Sequence, residues 1–149
     1  MSDTETYKGR CFCGAVQFAP SGRPEAMAYC QSCRHWSAGP VSAFTLWKPD
    51  SVRITQGSEN IAIYDGNPGT DNEDVVSERK WCKVCAGHIY TGHPTMGLID
   101  VPAVVIEDFA FKPRFHVHYQ ETVHHIKDSL PKFKDLPTEA GGSGMELTE

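Results

Sequence analysis

The six cysteines of this chain fall into three close pairs, Cys11-Phe12-Cys13, Cys30-Gln31-Ser32-Cys33 and Cys82-Lys83-Val84-Cys85. Two thiols separated by two residues form the geometry of a metal knuckle, because the intervening turn aims both sulfurs at one point about 2.3 Å from each. One closed tetrahedral site takes four sulfurs, so a pair is left over. Spacing alone allows three choices of which pairs share the ion. Cys-x-Cys is a poor ligand turn by itself, but two sulfurs on one strand edge can meet a knuckle from another part of the chain. A Cys-x-x-Cys pair can also cycle between dithiol and disulfide, and Arg34 beside Cys33 would favour the thiolate. The βαβ setting of thioredoxin-type redox pairs is absent, which ranks metal ahead of redox.

Composition supports that ranking. No basic-then-apolar segment opens the chain, so a cytoplasmic location is expected, where thiols stay reduced and structural disulfides are rare. The 14 Lys and Arg are scattered and the formal charge is −5, which leaves no basic stripe for nucleic acid or anionic membrane. The longest uncharged apolar stretch, Val101 to Ile106, is far short of the roughly 20 residues of a membrane helix. At 149 residues the chain can bury about two-thirds of its unfolded surface and build a real core. A structural zinc site, at about 10 to 16 kcal/mol in small peptides, would still rival the whole net stability of a domain, about 5 to 15 kcal/mol.

The elements that must position these thiols are short and extended. Val16 and Phe18 alternate with Gln17 in a strand leaving the first cysteine turn, and Ala26 to Tyr29 lead into Cys30. Phe44 to Trp47, Ser51 to Thr55 and Ile61 to Tyr64 read as further strands. Asp65 to Asp74 is a loop by composition, and Ser21 to Pro24 a turn. Val75 to Trp81 delivers the chain to Cys82, and Gly87 gives the third knuckle an unhindered backbone. Strands follow at Ile89 to Thr91, Leu98 to Ile106 and Phe115 to Tyr119. Val123, Ile126 and Leu130 at helical spacing predict one short C-terminal helix over Thr122 to Leu130, stopped by Pro131. The expected class is mainly β, with a frayed stretch over 1–6, a single domain over 7–138 and a mobile polar tail over 139–149.

Arg10-Cys11-Phe12-Cys13-Gly14-Ala15-Val16-x-Phe18, Tyr29-Cys30-x-x-Cys33-Arg34-x-x-Ser37, Trp81-Cys82-x-x-Cys85, Gly97-Leu98-Ile99-Asp100 and Leu130-Pro131-Lys132-Phe133 follow one another in an order that resembles the glutathione-dependent formaldehyde-activating (GFA) enzyme family. The resemblance covers about residues 7 to 138. It implies several short coiled β-sheets around a structural zinc held by the first and third pairs, here Cys11, Cys13, Cys82 and Cys85. It also implies a second zinc on Cys-x-Cys-x-x-Cys, where glutathione and formaldehyde give S-hydroxymethylglutathione. Cys30 and Cys33 match the last two of those cysteines, and the first falls on Ala28. Two thiolates alone bind zinc weakly, so His35, Tyr29 or a water would have to complete the set, although His35 reads more simply as an exposed loop histidine.

The remaining histidines carry plainer readings. His116 and His118 alternate with Val117 and would share one face of a half-exposed strand. His124 and His125 face different ways on the expected helix. His88, after the third knuckle, would stand near its mouth, and Trp47 and Trp81 read as core. No Ser-His-Asp order, phosphate loop or spaced carboxylate pair stands out. The expected activity is therefore zinc-dependent carbon–sulfur bond chemistry (a lyase) on an adduct of a small thiol such as glutathione, with Cys30, Cys33 and Arg34 at the reactive place. A non-catalytic zinc scaffold and a Cys-x-x-Cys redox protein are the alternatives, because Ala28 replaces a ligand.

Overall fold

The computed structural model describes residues 5–21, 25–66 and 77–148. The chain divides into two units, Met1–Pro24 with Thr45–Ala110 and Glu25–Phe44 with Phe111–Glu149, where a single domain over 7–138 is the sequence expectation. The turn at 22–24, most of the 65–74 loop, residues 75–76 and residues 1–4 lie outside the described residues.

In the first unit, β1 (Lys8–Arg10), β2 (Gln17–Pro20), β5 (Val52–Gln56) and β10 (Ile106–Glu107) form an antiparallel sheet in the order β10-β1-β2-β5. β6 (Ile61–Tyr64), β7 (Glu78–Cys82), β8 (His88–His93) and β9 (Leu98–Pro102) pair antiparallel in sequence order, and the Thr45–Trp47 end of β4 (Ser42–Trp47) lies beside β9. Alternation sends Phe18 of β2 inward while Gln17 stays half-buried. Val16, Phe18, Trp47, Ile89, Tyr90, Val101 and Ile106 then meet in one core that also contains Cys11 and Cys82. Burying each large side chain is worth about 1.5 to 3 kcal/mol. Phe18 and Tyr90 meet edge to face at 5.8 Å. The buried polar atoms are paired: Thr45 Oγ1 donates to the Val101 carbonyl at 2.9 Å, and Trp47 Nε1 donates to Thr45 Oγ1 at 2.6 Å.

In the second unit, β11 (His116–Val117) runs parallel to β3 (Glu25–Ala28), with Val117 opposite Ala28. One helix follows, α1 (Gln31–Ser37), starting at Cys30 and ending where Ala38 turns left-handed at φ 54° ahead of Pro40. The helix expected over Thr122 to Leu130 does not form. Two of its would-be helical donors are taken by side chains instead: Tyr119 Oη accepts the Ile126 N–H, and Asp128 Oδ1 accepts the Leu130 N–H. Val123 is exposed, so the apolar spacing has no face to bury.

Two expected strands shorten for local reasons. Leu98 to Ile106 breaks after Pro102 into a 3-10 turn over Ala103–Val105. The strand over Phe115 to Tyr119 keeps only His116–Val117, because His118 is left-handed at φ 54°. The segment expected as a mobile tail is hydrogen-bonded: the Lys134 N–H donates to the Met145 carbonyl and the Leu147 N–H to the Lys132 carbonyl, both at 2.7 Å. Among the described residues no helix is long and apolar enough to cross a membrane.

Candidate functional site

Cys11 leaves β1 into a tight turn in which the Gly14 N–H donates to the Cys11 carbonyl and Gly14 takes φ 81°. Cys82 closes β7, and the Ala86 N–H returns to its carbonyl at 2.7 Å. Ala86 carries the positive φ of that knuckle, at 62°. Gly87 is needed for space instead, since a Cβ there would sit 3.2 Å from both Cys85 Sγ and Phe12 Cβ.

The two turns bring Cys11, Cys13, Cys82 and Cys85 together with all four sulfurs within 4.8 Å of one another. Cys11 and Cys13 sulfurs are 3.8 Å apart, and those of Cys13 and Cys82 4.0 Å. The edge of a tetrahedron with 2.3 Å metal–sulfur bonds is about 3.8 Å. Each sulfur also accepts a backbone N–H, from Val16, Ala15, Val84 and Gly87 respectively, at 3.3 to 3.5 Å. Backbone donors aimed at sulfur stabilise thiolate, the form that ligates metal.

The sulfurs cannot all ionise beside one another without a cation. Burial pushes the Cys85 thiol up, but the Gly87 and Cys13 N–H groups and the neighbouring sulfurs outweigh it and hold Cys85 down at about 6. Cys11 is lowered in the same way, its desolvation outweighed by the Val16 N–H and the Cys82 and Cys13 sulfurs. At Cys13 the Ala15 N–H lowers the thiol, yet desolvation and the other three sulfurs push it up to about 11. A divalent ion would remove that conflict, so the donor set fits a closed tetrahedral metal site of the structural kind.

Cys30 and Cys33 are arranged differently. They are joined as a disulfide with their Cα atoms 5.2 Å apart. The Cys33 N–H donates to Cys30 Sγ at 3.2 Å, and both residues are half-buried. Ala28, where the resemblance places a third sulfur, is a buried methyl on β3. Among the described residues the first-unit cysteines are the one group of three or more metal-capable side chains, so neither His35 nor any other donor joins this pair. A second metal therefore does not fit the residues present. Arg34 Nε donates to the Tyr29 carbonyl at 2.8 Å. Gln31, Arg34, His35, Ala38, Gly39, Pro40 and Val123 line a shallow depression of about 560 Å³ beside the pair.

Tyr29, next to Cys30, is fixed by a buried chain of polar groups. Its phenol lies 2.7 Å from His116 Nδ1, His116 Nε2 is 2.7 Å from Asp128 Oδ2, and Lys132 Nζ donates to Asp128 Oδ1 at 2.8 Å. Tyr29, His116 and Lys132 are fully buried, and Tyr119 packs edge to face on Tyr29 at 5.0 Å. Desolvation works against the Asp128 carboxylate, but Lys132, the Leu130 N–H and His116 hold it below its ordinary 3.8, at about 2. Burial raises the Tyr29 phenol, with Tyr119 and Asp128 adding to it. His116 thus leaves the half-exposed face expected of it, and His118 does not share its strand. The carboxylate that holds it, Asp128, sits 12 residues further on, and the Lys132 that pairs with that carboxylate sits 16 further on, beyond the reach of local pattern.

A serine, histidine and aspartate also meet, Ser77, His93 and Asp100 in that order along the chain, although no such order stands out in the sequence. Ser77 Oγ lies 3.4 Å from His93 Nδ1, and His93 Nε2 2.6 Å from Asp100 Oδ2. Ser77 is buried and the histidine bridges β8 to β9, which makes this a tie between strands. His88 is half-buried, and burial lowers its imidazole.

An uncharacterized lyase of Schizosaccharomyces pombe is 29% identical over 86 residues, which are 56% of this chain and 56% of that protein. A crystal structure of a Rhodobacter sphaeroides protein shares the fold with a TM-score of 0.54 at 18% identity, covering 69% of this chain and 90% of that one. The family model of the glutathione-dependent formaldehyde-activating enzyme matches residues 6–121, a span that takes in all six cysteines, and the chain belongs to that family.

Proposed function

We propose that this chain makes or breaks the carbon–sulfur bond of a glutathione adduct, in the manner of S-hydroxymethylglutathione formation, at the Cys30–Cys33 face of the second unit. The observation that carries the proposal is the family match over residues 6–121, which contains Cys30, Cys33 and Arg34 together with the four-cysteine centre. The name of the fungal relative, a lyase, agrees with it.

Cys11, Cys13, Cys82 and Cys85 would hold zinc, whose contribution there is to fasten the fold, since four protein sulfurs leave no open position for a substrate. The reaction is assigned to the other unit. Arg34, oriented by its bond to the Tyr29 carbonyl, offers its guanidinium edge to a glutathione carboxylate, a bidentate pairing. Positioning a thiol and a small carbonyl compound side by side replaces an encounter in solution with a held geometry. As the carbon–sulfur bond forms, the thiol loses its proton and the carbonyl oxygen gains one. His35, on the same depression, is the titratable side chain placed to carry it.

The test is exchange-rate measurement by NMR with glutathione and formaldehyde and the chemically reduced, zinc-loaded protein. Catalysis above the buffer rate is expected, with Arg34→Gln raising the KM for glutathione at least tenfold. A rate equal to buffer would sink the proposal.

A further inference from the structure

A Cys-x-x-Cys pair becomes a closed metal site only when two further donors join it, and an open one when at least one does. Here the residue two before Cys30 is Ala28, and its methyl is buried on β3. The Tyr29 phenol is turned inward to His116. No third histidine, cysteine or carboxylate converges on the pair among the described residues. The two sulfurs are instead bonded to each other, half-buried and beside the depression that holds Arg34 and His35.

We propose that Cys30 and Cys33 form a dithiol–disulfide couple that exchanges with a glutathione-type thiol and its disulfide, in place of the second metal site. The proposed lyase chemistry is placed on the same face and tested on the reduced protein, but the exchange does not depend on that chemistry. The thiolate of a first small thiol attacks Cys33 Sγ, the Cys30–Cys33 bond breaks, and its electron pair leaves on Cys30 Sγ. The Cys33 N–H already donates to that sulfur at 3.2 Å, which makes Cys30 the better leaving group. The thiolate of a second small thiol then attacks the small-thiol sulfur of the mixed disulfide, and Cys33 departs as thiolate. Two small thiols end as one disulfide, the protein pair gains their two electrons, and their two protons pass through water to Cys30 and Cys33.

The surroundings are built to survive the change. The Tyr29 N–H donates to the Val117 carbonyl, its carbonyl accepts from Arg34 Nε and its phenol bonds His116, so the backbone leading into Cys30 is held by three bonds that do not involve either sulfur. The carboxylates of the small thiol find Arg34 one residue beyond Cys33.

The full, zinc-loaded chain is equilibrated with mixtures of glutathione and glutathione disulfide, trapped by alkylation and mapped by mass. Cys30 and Cys33 are expected to change state together, their reduced-to-oxidised ratio moving tenfold for each tenfold change in squared thiol over disulfide. Zinc stays at one per chain throughout. Cys30→Ser is expected to leave Cys33 carrying one glutathionyl group. A pair that stays alkylatable in glutathione disulfide alone, a pair that excess glutathione never opens, or release of a second zinc on oxidation each overturns the proposal. Absent lyase turnover in the reduced protein would leave this titration intact, and a flat titration would leave turnover measurable, so the two readings fail separately.

Discussion

The two cysteine regions differ in what surrounds each sulfur. In the four-cysteine centre every sulfur has its own backbone N–H, its neighbours stand at the edge length of a metal tetrahedron, and two of the four residues are buried in the core. At Cys30–Cys33 one N–H serves the pair, no third donor converges among the described residues, and both residues are half-buried. Both begin from the same local motif of two thiols on a tight turn. What separates them is a second pair of sulfurs: the knuckle at Cys82 meets one, and among the described residues the pair at Cys30 meets none. A Cys-x-x-Cys turn is therefore a proposal for a metal, and the rest of the fold decides it.

The contrast can be broken most sharply at Cys82. Cys82→Ala is expected to abolish zinc binding and the cooperative melt of the first unit, because the site's binding energy, about 10 to 16 kcal/mol, rivals a domain's net stability. Elemental analysis and thermal melting check it, and a variant that keeps its melting temperature refutes the centre as the fastening of the fold. The second unit should depend instead on its buried ion pair. Lys132→Met is expected to cost about 3 kcal/mol in denaturant unfolding, at the low end for a broken buried pair because Asp128 is partly solvated. The sign with pH follows from Asp128, whose folded value is depressed: its stabilisation is full above about pH 4 and is lost as pH falls from 3.8 toward about 2. An acid transition in which Asp128→Asn matches the parent chain would count against that pair. Smallest is Cys30→Ser, expected to cost about 2 kcal/mol or less, since the bridge spans a sequence separation of 3 and closes a very short loop. It should leave the zinc content at one per chain. A fall in zinc would erase the distinction between the two regions.

The part of this picture legible in the sequence is the local part. Three thiol pairs, a mainly β pattern and the strands flanking Cys82 follow from neighbours in the chain. The convergence of Cys11 with Cys82 does not, because it depends on where β1 and β7 end in space, and only the family resemblance supplied it. The α1 helix was invisible because its two turns bury no residue and so show no apolar period. Thr122 to Leu130 misled for the opposite reason: the period is there, but Tyr119 and Asp128 capture amide hydrogens that a helix requires. Lys132 belongs to a residue type that ordinarily faces water, and nothing within four residues of His116 announces that Asp128 and Tyr29 will enclose it.

The second unit is assembled from two distant stretches, Glu25–Phe44 and Phe111–Glu149. During synthesis Cys30 and Cys33 leave the ribosome long before Val117, His116, Asp128 and Lys132, which later hold Tyr29. At about 5 to 20 residues per second, the roughly 100 intervening residues take some 5 to 20 s. Throughout that interval the pair is an unprotected dithiol on a nascent chain, open to whatever thiol chemistry the surrounding medium offers, and the strand that finally frames it is among the last to arrive.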